Sequence, residues 1–177
     1  SSKFINISSD GIFLGFKGNY KEEDKPDARD IYGLSKFLGE TYGKNSIVIR
    51  TSFIGHEFFN KNGLLEWFLS QKKCNGYDNY IYTGLTSNSL AEIIRDEVIT
   101  RPKLNGVFNL NAYPITKYNL LVLISKIYKK NVVIKKISRK KINRGLLNKK
   151  FTLATGYKFK SWEKMITEMK NQNEQKS

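Results

Sequence analysis

Short runs of apolar and β-branched residues alternate along this chain with stretches whose apolar side chains recur at helical spacing, and that alternation restricts the fold more than any other feature. The runs Lys3–Ile7, Ser46–Arg50, Tyr80–Thr83, Val107–Leu110 and Val132–Lys135 read as strands. They are too continuously apolar to keep one face in water, the mark of strands buried on both sides in a parallel sheet. Between them the pattern predicts helices over Ile31–Tyr42, Leu64–Lys72, Ser87–Thr100, Lys117–Lys129 and Trp162–Lys170. In the first of these Leu34, Phe37, Leu38 and Thr41 share a face, and Gly43 supplies a stop. Leu64, Leu65, Trp67 and Phe68 lie at helical spacing and read as core or pocket wall. Ser8–Asp30 is rich in Gly, Asp and charged residues, contains Pro26, and reads as a loop leaving the first strand. The expected architecture is an α/β layer on a mainly parallel sheet, closed by a polar tail at 171–177 expected to be disordered.

With 177 residues, 40% hydrophobic, the chain can bury one ordinary core. It offers no 18-residue apolar window and no basic-apolar-small opening, so the expectation is a soluble, cytoplasmic protein without a membrane partner. Cys74 is the only cysteine and His56 the only histidine, which argues against a disulfide scaffold or a zinc site and leaves the metal expectation at none. His56 and Glu57 read as polar loop residues. The net charge of +15 is uneven: residues 1–100 carry 12 Lys or Arg against 13 acids, and 101–177 carry 19 against 3. The excess is densest from Lys129 to Lys150, including Lys140. The reading adopted is a solvated basic face and not a nucleic-acid site, although such a stretch suits phosphates.

One constellation carries chemistry. A strand ends in Ser8-Ser9-Asp10, and after the loop Tyr32-Gly33-Leu34-Ser35-Lys36 opens a helix. Tyr and Lys four apart share a helix face. A phenol, with an ordinary pKa of about 10, is a poor acid or base at neutral pH, and a neighbouring ammonium helps it by favouring phenolate. A serine hydroxyl at a strand end can hydrogen-bond the carbonyl oxygen that the tyrosine protonates. The spacing alone is weak. Chance gives about 1.4 occurrences in a chain with 10 Tyr and this much Lys. A second instance, Tyr113 to Lys117, contains Pro114 and reads as a helix entrance arrived at by coincidence.

Context separates the two. ISSDGIFLGFKGNYKEEDKPDARDIYGLSKFLGE resembles the pattern of the extended short-chain dehydrogenase/reductases of the dTDP-4-dehydrorhamnose reductase kind, with Gly33, Ser35, Lys36, Gly39 and Glu40 in register. IVIRTSFIGHE is similar to the strand and loop that pass the nicotinamide in that family. TGLTSNSLAEII sits where the family has a Thr-rich loop and a Leu-Ala helix, and INRGLLNKKFTLATGYKFKSWEKMI resembles its closing segment.

The resemblance implies an incomplete Rossmann-like doubly wound parallel sheet with a small C-terminal substrate-binding α/β lobe. Residues 1–56 and 77–112 would form the remaining cofactor-side core, and 57–76 with 113–170 the substrate-side lobe. It implies reduction of the 4-keto group of a nucleotide-linked deoxysugar with NADPH or NADH. Ser9 would anchor the keto oxygen, Tyr32 would be the general acid, and Lys36 would assist Tyr32 and hold the nicotinamide ribose. Thr51, Ser52 and Phe53 would border the cofactor, Asp10 would lie beside the sugar, and Arg144 would meet the diphosphate. A homodimer is among the assemblies it allows. An epimerase or dehydratase of the same superfamily, or a non-catalytic regulatory protein of the same fold, is the alternative. There are two departures. Gly11 stands where the family has an aromatic residue, and no Gly-x-x-Gly-x-x-Gly follows a strand, so the dinucleotide cradle is missing and the chain reads as a fragment.

Overall fold

The computed structural model describes residues 2–41, 43–57, 59–139 and 141–175. Its first half runs β1 (Phe4–Ser9), α1 (Ile31–Leu38), β2 (Ser46–Thr51), β3 (Phe53–Ile54), α2 (Leu64–Ser70), β4 (Lys73–Tyr77), β5 (Tyr80–Tyr82), β6 (Leu85–Thr86) and α3 (Ser87–Ile93). A π-type turn over Ile94–Ile99 continues α3. Then come β7 (Gly106–Asn109), β8 (Ile115–Thr116), α4 (Lys117–Ile127), β9 (Val133–Ile137), β10 (Ile142–Asn143), α5 (Lys149–Thr155) and α6 (Trp162–Glu174).

The central sheet is parallel, ordered β1-β2-β7. All six residues of β2 are buried, as expected for a central strand covered on both faces. Ile47, Ile49, Phe108 and Leu110 pack with Leu65, Phe68, Leu120, Ile124, Met165 and Ile166 into one core. Around it stand smaller pairings, β4 with β9, β3 with β6, and β5 between β10 and β8. Loop 10–28 is not loose: Ile12, Phe13, Tyr20 and Leu146 form a second cluster, with Phe13 and Tyr20 stacked at 4.0 Å.

Local chemistry sets the helix ends. Asp30, Thr86, Thr116 and Ser161 cap α1, α3, α4 and α6 by accepting from backbone N–H groups of the first turn. Gly156, at φ 75°, ends α5 in the left-handed conformation that glycine adopts without strain.

Three expectations need correction. Helix α1 stops at Leu38, with Gly39 and not Gly43 at its end; Tyr42 lies outside the described residues. The stop is fixed by the buried Glu40 side chain, which the chain must turn inward to deliver to Arg50. The tail is helical as far as Glu174: Met169 is buried against the core, the Asn171 carbonyl accepts from the Gln175 N–H, and Lys170 pairs with Glu174. Lys176 and Ser177 lie outside the described residues. In α2, Leu65 and Phe68 are core, but Trp67 is 40% exposed on the outer face. No helix of the described residues is long and apolar enough to cross a membrane. Nor do the described residues include a cluster of three or more metal-ligating side chains.

Candidate functional site

Most of the buried polar residues of the central sheet gather at the carboxyl ends of its strands, where ligands bind in open parallel sheets. Ser8, Ser9, Arg50, Thr51 and Asn109 are all buried there. Arg50 and Glu40 form a bidentate pair, Nε to Oε1 at 2.9 Å and Nη2 to Oε2 at 2.7 Å, both side chains about 5% exposed or less. The Ser8 hydroxyl donates to the same carboxylate at 2.6 Å, and Arg50 also donates to the Glu22 carbonyl at 3.0 Å. This pair ties the end of α1 to the sheet. Removing one partner of such a pair strands a buried charge, a loss of about 3–5 kcal/mol.

Helix α1 is also fixed at its start. A methyl group added at Gly33 would stand 2.5 Å from both the Ala28 Cβ and the Gly11 carbonyl oxygen. At Gly11 an added methyl would stand 3.0 Å from the Tyr32 ring and 3.1 Å from the Ser9 hydroxyl. The Tyr32 ring and Ser9 Oγ therefore converge over one bare stretch of backbone, which explains why glycine occupies this position. Ser9 Oγ accepts from the Gly11 N–H at 2.9 Å, and the Tyr32 ring is 57% exposed. The Lys36 ammonium donates to the Ile7 carbonyl at 3.3 Å, beside the strand that carries Ser9.

The other named residues separate. Thr51 sits opposite Ser9 in the β1-β2 register and is 2% exposed. Ser52 donates to the Tyr82 hydroxyl at 3.2 Å. Phe53 is 55% exposed just beyond β2. His56 joins Glu66 through Nδ1 at 2.7 Å and the Tyr128 hydroxyl through Nε2 at 2.9 Å, a tie between loop and helices away from Ser9.

Asp10 and Arg144 come together across more than a hundred residues. Asn143 N–H donates to the Gly15 carbonyl, Tyr20 N–H to Gly145, and Leu147 N–H to Tyr20, each at 2.8 Å. These bonds stitch the loop after Ser9 to the segment holding Arg144. Withdrawal from water pushes the Asp10 carboxyl up to about 6, with the Arg144 and Lys117 cations and the Ser9 hydrogen bond opposing that rise.

Lys117 and Tyr80 complete this corner, and sequence reasoning missed both. The Lys117 ammonium stands 4.0 Å over the Tyr80 ring. Burial lowers its pKa, Asp10 raises it, and Arg144 lowers it again. Burial likewise pushes the Tyr80 and Tyr82 phenols up. The only sequence signal was the second Tyr-x-x-x-Lys, whose members part: Tyr113 is 66% exposed, whereas the Lys117 ammonium lies over the Tyr80 ring.

The comparisons place the chain in the α/β fold of nucleotide-sugar reductases, epimerases and dehydratases. A dTDP-4-dehydrorhamnose reductase from Clostridium acetobutylicum superposes with a TM-score of 0.83 at 18% identity, covering 97% of this chain and 66% of the other. The Bacillus anthracis reductase, solved in complex with NADP, gives 0.82 at 18% identity, with 96% and 66% covered. UDP-glucose 4-epimerase from Thermotoga maritima, solved with UDP-glucose, gives 0.71 at 19% identity, with 99% and 65% covered. In sequence, the spore coat polysaccharide biosynthesis protein SpsK of Bacillus subtilis is 44% identical over 62 residues, 31% of this chain and 22% of that protein. No protein-family model matches the sequence. The chain thus spans just under two thirds of the length of the reductases it superposes on.

Proposed function

We propose that this chain forms the catalytic and substrate-side part of an NAD(P)H-dependent reductase acting on the 4-keto group of a nucleotide-linked deoxysugar, in the cytoplasm. The observation that carries the reading is the convergence of Ser9 Oγ and the Tyr32 ring over Gly11 at the carboxyl end of β1. A keto oxygen placed there meets the Ser9 hydroxyl as a hydrogen-bond donor and the Tyr32 phenol as the proton source. Lys36 sets a positive charge one turn along α1, which eases loss of the phenolic proton and offers a donor for the nicotinamide ribose.

The residues at this end fit a nicotinamide riboside. Tyr32 is open to solvent, Lys36 borders it, and Phe53 offers an exposed aromatic face beyond the buried Thr51 and the Ser52–Tyr82 hydrogen bond. When bound, the reduced cofactor supplies the hydride. Its phosphates find no glycine-rich turn in this sequence, so residues 1–56 and 77–112 make only the nicotinamide side of the cofactor site. Residues 57–76 and 113–170 make the substrate side, with Arg144 at the diphosphate, and Asp10 faces the sugar from the end of β1.

The test is NADPH oxidation, with a dTDP-4-keto-6-deoxy sugar, by the gene product carrying these residues. Sugar-dependent oxidation that drops roughly 100- to 10,000-fold in Tyr32→Phe supports the reading. An unchanged rate in that variant refutes it.

A further inference from the structure

The Lys117 ammonium lies over the Tyr80 ring, and Tyr80 pairs with Ile142, two residues before Arg144, which brings the two cations to one corner. Among the described residues neither forms an ion pair nor donates a hydrogen bond, and the Arg144 Nε is buried with no acceptor. The charge of Asp10 acts on both, yet it too stands outside every ion pair of the described residues. The geometry is unfavourable in three ways. Lys117 is the first residue of α4, an 11-residue helix, so its charge lies at the positive end of the helix dipole. It is partly buried, and it shares its surroundings with a second cation. The face of Tyr80 gives part of this back through its quadrupole, and Asp10 supplies one negative charge against two positive ones. Such an arrangement is suited to an anion that arrives from outside, met by the helix N-terminus and both cations together.

We propose that Lys117 is a substrate-binding residue that shares with Arg144 one phosphoryl group of the substrate, beside the Ser9–Asp10 turn. The proposal rests on the nucleotide-sugar reading only for what the phosphoryl group is attached to. The positions fit that role. The backbone bonds from Gly15 and Tyr20 to Asn143, Gly145 and Leu147 fix Arg144 against the loop that leaves Ser9. Thr116, whose side chain caps α4 by accepting from the Asn119 N–H, fixes the backbone of Lys117. An anion bound between them therefore lies at a set position relative to Ser9, and Lys117 contributes to which substrates fit as well as how tightly they bind.

The experiment is calorimetric titration of the gene product carrying these residues with thymidine diphosphate, inorganic pyrophosphate, thymidine and glucuronate. The variants are Lys117→Met, Lys117→Arg, Arg144→Met and, as a surface-charge control, Lys136→Met. The expected result is that the two phosphate compounds bind and thymidine and glucuronate do not. Lys117→Met and Arg144→Met should each weaken thymidine diphosphate roughly 10- to 100-fold, with Lys117→Arg retaining most of the affinity and Lys136→Met all of it. Because an unpaired cation is removed, ligand-free Lys117→Met should melt at or above the parent temperature, which a structural lysine would not do. Three results overturn the proposal: no phosphate binding by the parent chain, Lys117→Met binding like the parent, or equal loss in Lys136→Met. Binding of glucuronate in place of pyrophosphate also overturns it. None of these titrations involves hydride transfer, so anion binding without sugar reduction would fault the reductase reading alone, and reduction with an unchanged KM in Lys117→Met would fault this proposal alone.

Discussion

The two corners of the site are built by opposite means. The Ser9–Tyr32 corner comes from residues fewer than thirty apart, joined by one strand, one loop and one capped helix, and its phenol stands open to water. The corner of Asp10, Tyr80, Lys117 and Arg144 is drawn from four distant segments and is withdrawn from water, so that Asp10, Tyr80 and Lys117 are shifted from their ordinary ranges. Local sequence grammar can specify the first. Only tertiary packing produces the second, and there the balance of charge and burial decides behaviour.

The comparison can be broken most forcefully at the buried pair behind the first corner. Glu40→Gln leaves Arg50 charged, buried and half-paired, and should cost about 3–5 kcal/mol in urea unfolding. The double variant Glu40→Leu with Arg50→Met should recover much of that loss, and an equal loss in single and double variants would show that α1 is not anchored this way. Next in size is Ser9→Ala, expected to lower kcat of the sugar-dependent reaction by roughly 100- to 1,000-fold with little change in folding stability. A drop in stability of similar size would instead assign Ser9 to the turn it caps.

Asp10→Asn probes the second corner through pH. The folded carboxyl titrates near 6 and the unfolded one near its ordinary 3.8. Below about pH 4 both states hold the proton; as pH rises toward 6 the unfolded chain releases it first, so this group's contribution to stability declines across that window and stays low above it. The loss amounts to at most about 3 kcal/mol. Asp10→Asn should therefore stabilise the fold by about 1–3 kcal/mol at pH 7 and by nothing at pH 4, measured as unfolding midpoints across that range. Smallest is Tyr113→Phe. Its side chain is exposed and only its carbonyl is used, accepting from the Trp162 indole at 2.7 Å, so stability and activity should change by less than about 0.5 kcal/mol.

What was legible in the sequence follows the same division. The central strands β1, β2 and β7 were readable from their short apolar runs, of which only β2 is buried along its whole length, and Ser9, Tyr32 and Lys36 because strand end and helix start are close in the chain. Strand β4, KCNGY, was not: Lys, Asn and Gly carry no β signal, and the strand exists because it pairs along its whole length with β9. The short strands β3, β6, β8 and β10 are likewise set by their partners. Helix α5, KKFTLAT, looks like part of a basic run, and buries a single large side chain, Phe151, against Phe108. Lys117 was read as a helix entrance, and α4 does begin there, but nothing in ITKYN says that its ammonium will lie over Tyr80.

The bonds that stitch Gly15 and Tyr20 to residues 143–147 also bear on the order in which the molecule can be made. The serine loop leaves the ribosome among the first residues of this sequence, while its partners follow more than a hundred residues later, a delay on the order of 6–25 s at common elongation rates. Until then Ile12, Phe13 and Tyr20 have no Leu146 to pack on. A ribosome stalled before residue 143 would leave the loop after Ser9 without the segment that holds it, and the main core without Phe151, Met165 and Ile166.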